Sequence, residues 1–223
     1  MRRHSEGVLV ADELRSEALP RPVEDVIERL SPFVTNARIA RIQEVLGRRV
    51  SAVRVVVDAL HDPHNGAAIV RTCDAFGVQY LHAIERVEGF AAAKSVARGS
   101  QKWVEIVRHP TPTACLDALA GYELVATHPE GDLEPEDLSR IPNVALVLGN
   151  EHDGIAEDLR AACTRAVRVP MRGFVESLNV SVTAAILLHA AVRGRSGDLD
   201  AATRRALLAR ALYLSVPRAD ERL

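Results

Sequence analysis

The chain has 223 residues, is 48% hydrophobic and carries a formal net charge of −2. This suits one sizeable α/β core with short additions, and leaves any contact with nucleic acid to local clusters of charge. No apolar run reaches membrane length, the opening MRRHSEGVLVADELRSEALPRP is too charged for a secretory signal, and Cys73, Cys115 and Cys163 lie far apart with no Cys-x-x-Cys. The expectation is a cytoplasmic protein with no membrane partner, no disulfide and no cysteine zinc site.

Residues 1–30 read as an extension whose one periodic stretch, VEDVIERL, suits a short helix. Residues 31–50 centre on NARIARIQEVLGRR, where Ile39, Ile42, Val45 and Leu46 recur at helical spacing before Gly47. The opposite face presents Arg38, Arg41, Arg48 and Arg49, either a solvated surface or a track for phosphates. Residues 51–195 alternate β-branched runs (VRVVV, YLHAIE, WVEIVRH, ELVATH, VALVLG, AVRVP) with helix-like runs (GAAIVRTCDAFG, AAAKSVARG, PTACLDALAG, AEDLRAAC, SLNVSVTAAILLHAAVR). This alternation predicts an α/β fold with a mostly parallel sheet and helices on both faces, binding ligands at the carboxyl ends of its strands. Within it, PEGDLEPEDL is an acidic loop. Residues 196–223 carry LDAATRRALLARALYLSV, a last amphipathic helix to dock on the domain or on another subunit.

Polar residues gather at three strand ends. After VRVVVDAL comes His61-Asp62-Pro63-His64-Asn65-Gly66, with Asn65 placed as a helix cap and Arg71 in the second turn, leaning back toward the same loop. His61 and His64 lack a third ligand at matching spacing, so no metal is expected. After VALVLG, Gly149 allows close backbone approach and Glu151 falls at the strand end, a pattern that suits a turn equally well. The third loop sets Glu176, Ser177 and Asn179 ahead of a helix whose only polar side chains from Val180 to Val192 are Ser181, Thr183 and His189. Such a segment should be buried on nearly every side. Ser177 or Asn179 would cap it, and the cluster also suits a ligand at the helix's positive end. No G-x-G-x-x-G after a strand, no Walker A loop and no G-x-S-x-G elbow occurs, which removes the main support for dinucleotide, nucleoside triphosphate and serine-hydrolase chemistry.

Taken in order, HNGAAIVRTCDAFGV, LVLGNEHDGI and VPMRGFVESLNVSVTAAILLH resemble the three motifs of the SpoU ribose 2′-O-methyltransferases, across roughly Ala37 to Arg193. ARIQEVLGRR and GSQKWVEIVRHPT look most like the TrmH-type enzymes, which methylate a D-loop guanosine of tRNA at position 18. The amino-terminal extension and the short tail depart from that pattern. The resemblance implies a SPOUT-type fold with a carboxyl-terminal deep trefoil knot, a homodimer, and S-adenosyl-L-methionine held by backbone groups around Thr127, Gly149, Val169, Met171 and Leu178. It places Arg71 at the ribose hydroxyl, aided by a substrate phosphate. A guanidinium stays protonated, so orientation and phosphate binding are as suitable a role as that of base. Asn65 would hold Arg71, while Glu151, Ser177 and Asn179 would shape the pocket. The helix of residues 31–50, with Arg38, Arg41, Arg48 and Arg49, falls where the family contacts tRNA. An rRNA enzyme of the same family, a non-catalytic RNA-binding protein, and an open α/β protein for another ligand are the alternatives.

Overall fold

The computed structural model describes residues 19–86, 90, 92–150 and 153–223, with backbone alone at 8–9 and 92–95. Along the chain lie β1 (Val8–Leu9), α1 (Val23–Leu30), α2 (Asn36–Leu46), β2 (Val50–Asp58), α3 (Pro63–Phe76), β3 (Val78–Ile84), β4 (Ala92–Ala93), α4 (Lys94–Ala97), β5 (Glu105–His109) and α5 (Pro112–Ala118). Then follow β6 (Glu123–Thr127), β7 (Val144–Leu148), α6 (Glu157–Arg160), β8 (Arg165–Val167), α7 (Val180–Ala191) and α8 (Ala201–Ser215). They form two compact units, one of Met1–Arg15 with Ala52–Arg195, the other of Ser16–Ser51 with Ser196–Leu223. Among the described residues no helix is long and apolar enough to cross a membrane.

The first unit is built on a six-stranded sheet of order β5-β3-β2-β7-β6-β8, parallel in its β3–β5, β2–β7, β6–β7 and β6–β8 pairings. β7 reads VALVL and is buried throughout, as a central strand covered on both faces must be. Val56 on β2 packs with Ile84, Cys115, Leu119, Ala145, Val147 and Leu159, so α5 and α6 cover one face. Val53, Val55 and Val57 point the other way and are equally buried. The strand order reverses between β2 and β7, the place where an open parallel sheet leaves a crevice at its carboxyl edge.

Two expectations need correction. AAAKSVARG yields only the four residues of α4, stopped by the left-handed pair Arg98 (φ 48°) and Gly99 (φ 92°); so short a run cannot sustain a longer helix against that turn. α7 is not buried on nearly every side. Ala184, Leu187, Leu188 and Ala191 are buried, whereas Val182 is 46% and Ile186 37% exposed. Helix α3 and the turn Pro135–Arg140 pack against α7, and a helix apolar all round has more surface than these neighbours cover.

A polar chain crosses the face occupied by α5. Arg54 Nη1 lies 3.2 Å from His82 Nε2, and His82 Nδ1 lies 2.9 Å from His109 Nε2. A guanidinium only donates, so His82 Nε2 accepts and the ring proton sits on Nδ1, donated to His109. His82, His109 and Cys115 bring ligand atoms within 4.8 Å of one another, with His82 Nδ1 engaged by His109. Burial, then Arg54, then His109, hold the His82 pKa down to about 3, and burial lowers that of His109. Burial first, then the Asp58 carboxylate, push the Cys115 thiol up to about 12. With folded histidine pKa values below the unfolded value, the unfolded chain takes up protons first. The stability these rings allow is complete above pH 6.5 and is lost as pH falls toward 3. Urea unfolding should therefore lose about 1 kcal/mol per pH unit between pH 6.5 and 5. A flat profile across that range would contradict the assignment of neutral buried rings.

In the second unit α8 packs against α1 and α2, burying Val26, Leu30, Ile42, Leu208 and Leu212. Arg205 pairs with Glu24, and the Arg222 guanidinium lies 4.0 Å from the Phe33 ring centroid. Gly197 passes so close to the end of α2 that a Cβ there would sit 2.0 Å from the Gly47 carbonyl oxygen.

Candidate active site

A cavity of about 430 Å³ opens at the carboxyl ends of β6, β7 and β8, within the usual size range of small-ligand sites. Its walls are Thr127 at the end of β6, Gly149 just past β7, Val169 and Met171 beyond β8, and Ser177, Leu178 and Asn179 leading into α7. Gly149 is fixed by sterics. A Cβ there would lie 2.2 Å from the Gly154 carbonyl carbon and 2.4 Å from the Ile155 nitrogen. The loop folds back tightly enough for Asn150 N–H to donate to the Gly154 carbonyl at 3.0 Å and for Asp153 N–H to reach Asn150 Oδ1 at 2.7 Å. On the other wall, β8 lies against β6 and also against residues 131–134, where Leu133 N–H donates to the Ala166 carbonyl and Arg168 N–H to that of Leu133.

The positive end of α7 faces the cavity through Val180 and Thr183. Its cap is Asn179, whose Oδ1 accepts from Ser181 N–H at 2.8 Å, Val182 N–H at 3.4 Å and Ser181 Oγ at 2.6 Å. The same side chain donates from Nδ2 to Asn65 Oδ1 at 3.0 Å. Asn179 thus joins three tasks: it ends the loop, caps the helix, and ties α7 to α3.

Several residues stand differently from the sequence expectation. Asn65 is not the cap of α3; Asp62 is, accepting from His64 N–H at 2.8 Å, with Pro63 in the first helical position. Proline's fixed φ suits that position and puts the cap one residue before it. Asn65 is therefore the third helical residue, 7% exposed, and Arg71 lies in the third turn rather than the second. Six residues apart, the two point about 120° away from each other around the helix; Arg71 is exposed and is not among the residues lining the cavity. Glu151 lies outside the described residues.

Arg38, Arg41 and Arg48 are exposed, whereas Arg49 is only 2% exposed and offers no surface to RNA. Helix α2 ends at Leu46, and the chain then turns inward to begin β2 at Val50, taking Arg49 with it. Arg41 and Arg48 both reach Glu44 at 2.7 Å, and the hydrogen bond from Arg41, with the charge of both, lowers the pKa of that carboxyl. His128, Asn150, Ile155, Glu176 and Thr183 also line the cavity. Of these, Glu176 belongs to the polar cluster read ahead of α7, and Thr183 had a readable signal, since it stands four residues after Asn179 on one helix face.

Residues 52–189 match the sequence profile of the SpoU rRNA Methylase family. The tRNA (guanosine(18)-2′-O)-methyltransferase of Thermus thermophilus is 38% identical over 164 residues, 72% of this chain and 84% of that protein. The crystal structure of the A. aeolicus TrmH/SpoU tRNA modifying enzyme matches with a TM-score of 0.71 at 30% identity, covering 82% of this chain and 98% of that one. The SpoU methyltransferase AviRb from Streptomyces viridochromogenes, solved in complex with the cofactor AdoMet, matches with a TM-score of 0.56 at 29% identity over 67% of this chain and 60% of its own. With its parallel sheet, its cavity at the carboxyl edge and a profile match across most of its length, the chain belongs to the SpoU rRNA methylase family.

Proposed function

We propose that this protein transfers a methyl group from S-adenosyl-L-methionine to the ribose 2′-hydroxyl of the D-loop guanosine at position 18 of tRNA. The observation that carries the reading is the cavity itself. It joins a loop in which only glycine fits, an apolar lining of Ile155, Val169, Met171 and Leu178, and the positive end of α7. This donor set suits a cofactor with an apolar-walled aromatic base, ribose hydroxyls and a carboxylate. Gly149, Thr127, Val169, Met171 and Leu178 would hold it, with Ser177 and Asn179 shaping the same wall. Once bound, the cofactor supplies an electrophilic methyl group. The relative from Thermus thermophilus carries the tRNA guanosine-18 name, and AviRb was solved with AdoMet.

The chain's own residues then have to place the ribose. Arg71, with the several N–H donors of its guanidinium, serves to grip a substrate phosphate and orient the hydroxyl. Its exposure on α3, together with the bare Val182 and Ile186 on the packed neighbour α7, supports a homodimer in which Arg71 of one subunit faces the cavity of the other. The position of β8 between β6 and residues 131–134 supports a chain threaded as a trefoil knot. Isothermal titration tests the cofactor part: one S-adenosyl-L-methionine per chain is expected, and no heat at millimolar ligand would overturn it.

We assign the tRNA surface of α2 to Arg38, Arg41 and Arg48. The ion pairs to Glu44 are largely exposed and therefore weak rivals to a phosphate. Replacing Arg41 and Arg48 together with alanine should weaken tRNA binding and flatten the slope of log affinity against log salt by about 1 to 2, with cofactor affinity unchanged. An unaltered slope in filter-binding assays would move the RNA surface elsewhere.

A further inference from the structure

The Gly154–Ile155 wall of the cavity is held from behind by groups that do not line it. Asp58, the last residue of β2, is 1% exposed. Its Oδ1 accepts from Arg86 Nε at 2.7 Å, and its Oδ2 from Ala156 N–H at 2.9 Å and from Arg86 Nη2 at 3.3 Å. Arg86 turns its remaining donors to Asp158 in the first turn of α6, at 3.0 and 2.7 Å. One buried carboxylate thus grips the backbone immediately after Ile155, while one guanidinium joins it to the helix that follows. The acidic groups on either side hold Arg86 firmly in its charged state.

The wall in front has no slack. Gly149 touches Gly154 and Ile155 so closely that even a methyl group has no room, so a displacement of Ala156 passes directly to Gly149 and the cavity floor. Asp58 also begins the loop that leads to α3. Ala59, with φ at 48°, follows it and donates its N–H to the Ile84 carbonyl at 3.1 Å. The carboxylate therefore stands between the loop before Asn65 and Arg71 and the loop after β7. We infer that Asp58, braced by Arg86 against Asp158, is a positioning residue that sets the Gly154–Ile155 wall for S-adenosyl-L-methionine.

This inference rests on the proposed cofactor, and its test separates the two. In the full chain, Asp58→Asn keeps an acceptor for Ala156 N–H but removes the charge that anchors Arg86. Arg86→Gln removes the brace at a partly exposed site, which guards against a variant that fails to fold. Both should raise the Kd and KM for S-adenosyl-L-methionine roughly tenfold, since small misplacements in such sites are costly. Affinity for tRNA and kcat at saturating cofactor should stay within about twofold, because neither the RNA surface nor Arg71 is touched. Arg86→Lys, which cannot make the two-pronged contact, should recover only part of the loss. Val26→Ala, in the core of the other unit, serves as the purely structural control: it should lower Tm and leave KM unchanged. A wild-type KM in folded Asp58→Asn and Arg86→Gln, or a KM change equal to that of Val26→Ala, overturns the clamp while leaving the cofactor assignment intact. A wild-type protein that gives no heat with S-adenosyl-L-methionine overturns both.

Discussion

Arg71→Ala should reduce methyl transfer at least about 100-fold, the usual loss for a positioned catalytic group, with S-adenosyl-L-methionine bound as tightly as by the wild type. The two effects separate because Arg71 is an exposed residue of α3 outside the cavity lining. Its loss leaves Gly149, Val169, Met171 and Leu178 in place and removes only the group proposed to meet the ribose and its phosphate. Arg71→Lys should recover little, since an ammonium cannot reproduce the planar fork of a guanidinium. Single-turnover assays with saturating tRNA read the rate, and calorimetry reads the cofactor. Co-expression with Asn179→Ala adds a test of the shared site. Each variant alone should be impaired, whereas in the proposed homodimer a mixed assembly would pair the intact cavity of one chain with the Arg71 of the other and is expected to regain activity. Near-normal turnover by Arg71→Ala would remove this residue from the mechanism. Failure of the mixed dimer to recover would remove the sharing between subunits.

Gly149→Ala is expected to be nearly as damaging, by a different route. The added methyl would lie 2.2 to 2.5 Å from backbone atoms of Gly154 and Ile155, which cannot swing aside as a flexible side chain does. The loop has to open, costing about 1 to 3 kcal/mol in stability, and cofactor affinity should fall by roughly 100-fold as the wall moves. Gly173→Ala is the matched control. It sits in the third motif, has nothing within 4 Å of its added Cβ and no positive φ, and should bind S-adenosyl-L-methionine as the wild type does. Equal affinity for Gly149→Ala and Gly173→Ala would show that the close approach at Gly149 does not shape the site.

The sheet was readable because its strands are β-branched runs bounded by polar turns, and a fully buried strand such as VALVL has to read as continuous apolar sequence. Of the cavity wall, only Gly149 was legible from its place at a strand end; Thr127, Val169, Met171 and Leu178 followed from the motif resemblance, and all five line the cavity. Other features depend on where the chain goes next. The arginines after Gln43 look like one solvated face, yet the turn at Gly47 sends Arg49 inward while Arg48 stays exposed. Asn65 read as the cap of α3, whereas Asp62 holds that place, a position that the proline at residue 63 marks in the sequence. The composition of α7 showed an apolar helix without showing what covers it, so the bare Val182 and Ile186 were invisible. Asp58, Arg86 and Asp158 are separated by 28 and 72 residues and meet only across strand ends, a distance at which sequence spacing carries no signal.

Methyl transfer to the ribose of guanosine 18 is tested with two tRNA substrates that differ by one oxygen atom. One is an ordinary transcript, and the other carries 2′-deoxyguanosine at position 18. Each is incubated with the full chain and S-adenosyl-L-methionine labelled in its methyl group, and the product is mapped by nuclease digestion and mass spectrometry. The expected result is a single methyl group on the ribose of guanosine 18 in the ordinary transcript and none on its deoxy counterpart. Methylation on a base, at another nucleotide, or to the same extent on the deoxy transcript would contradict it.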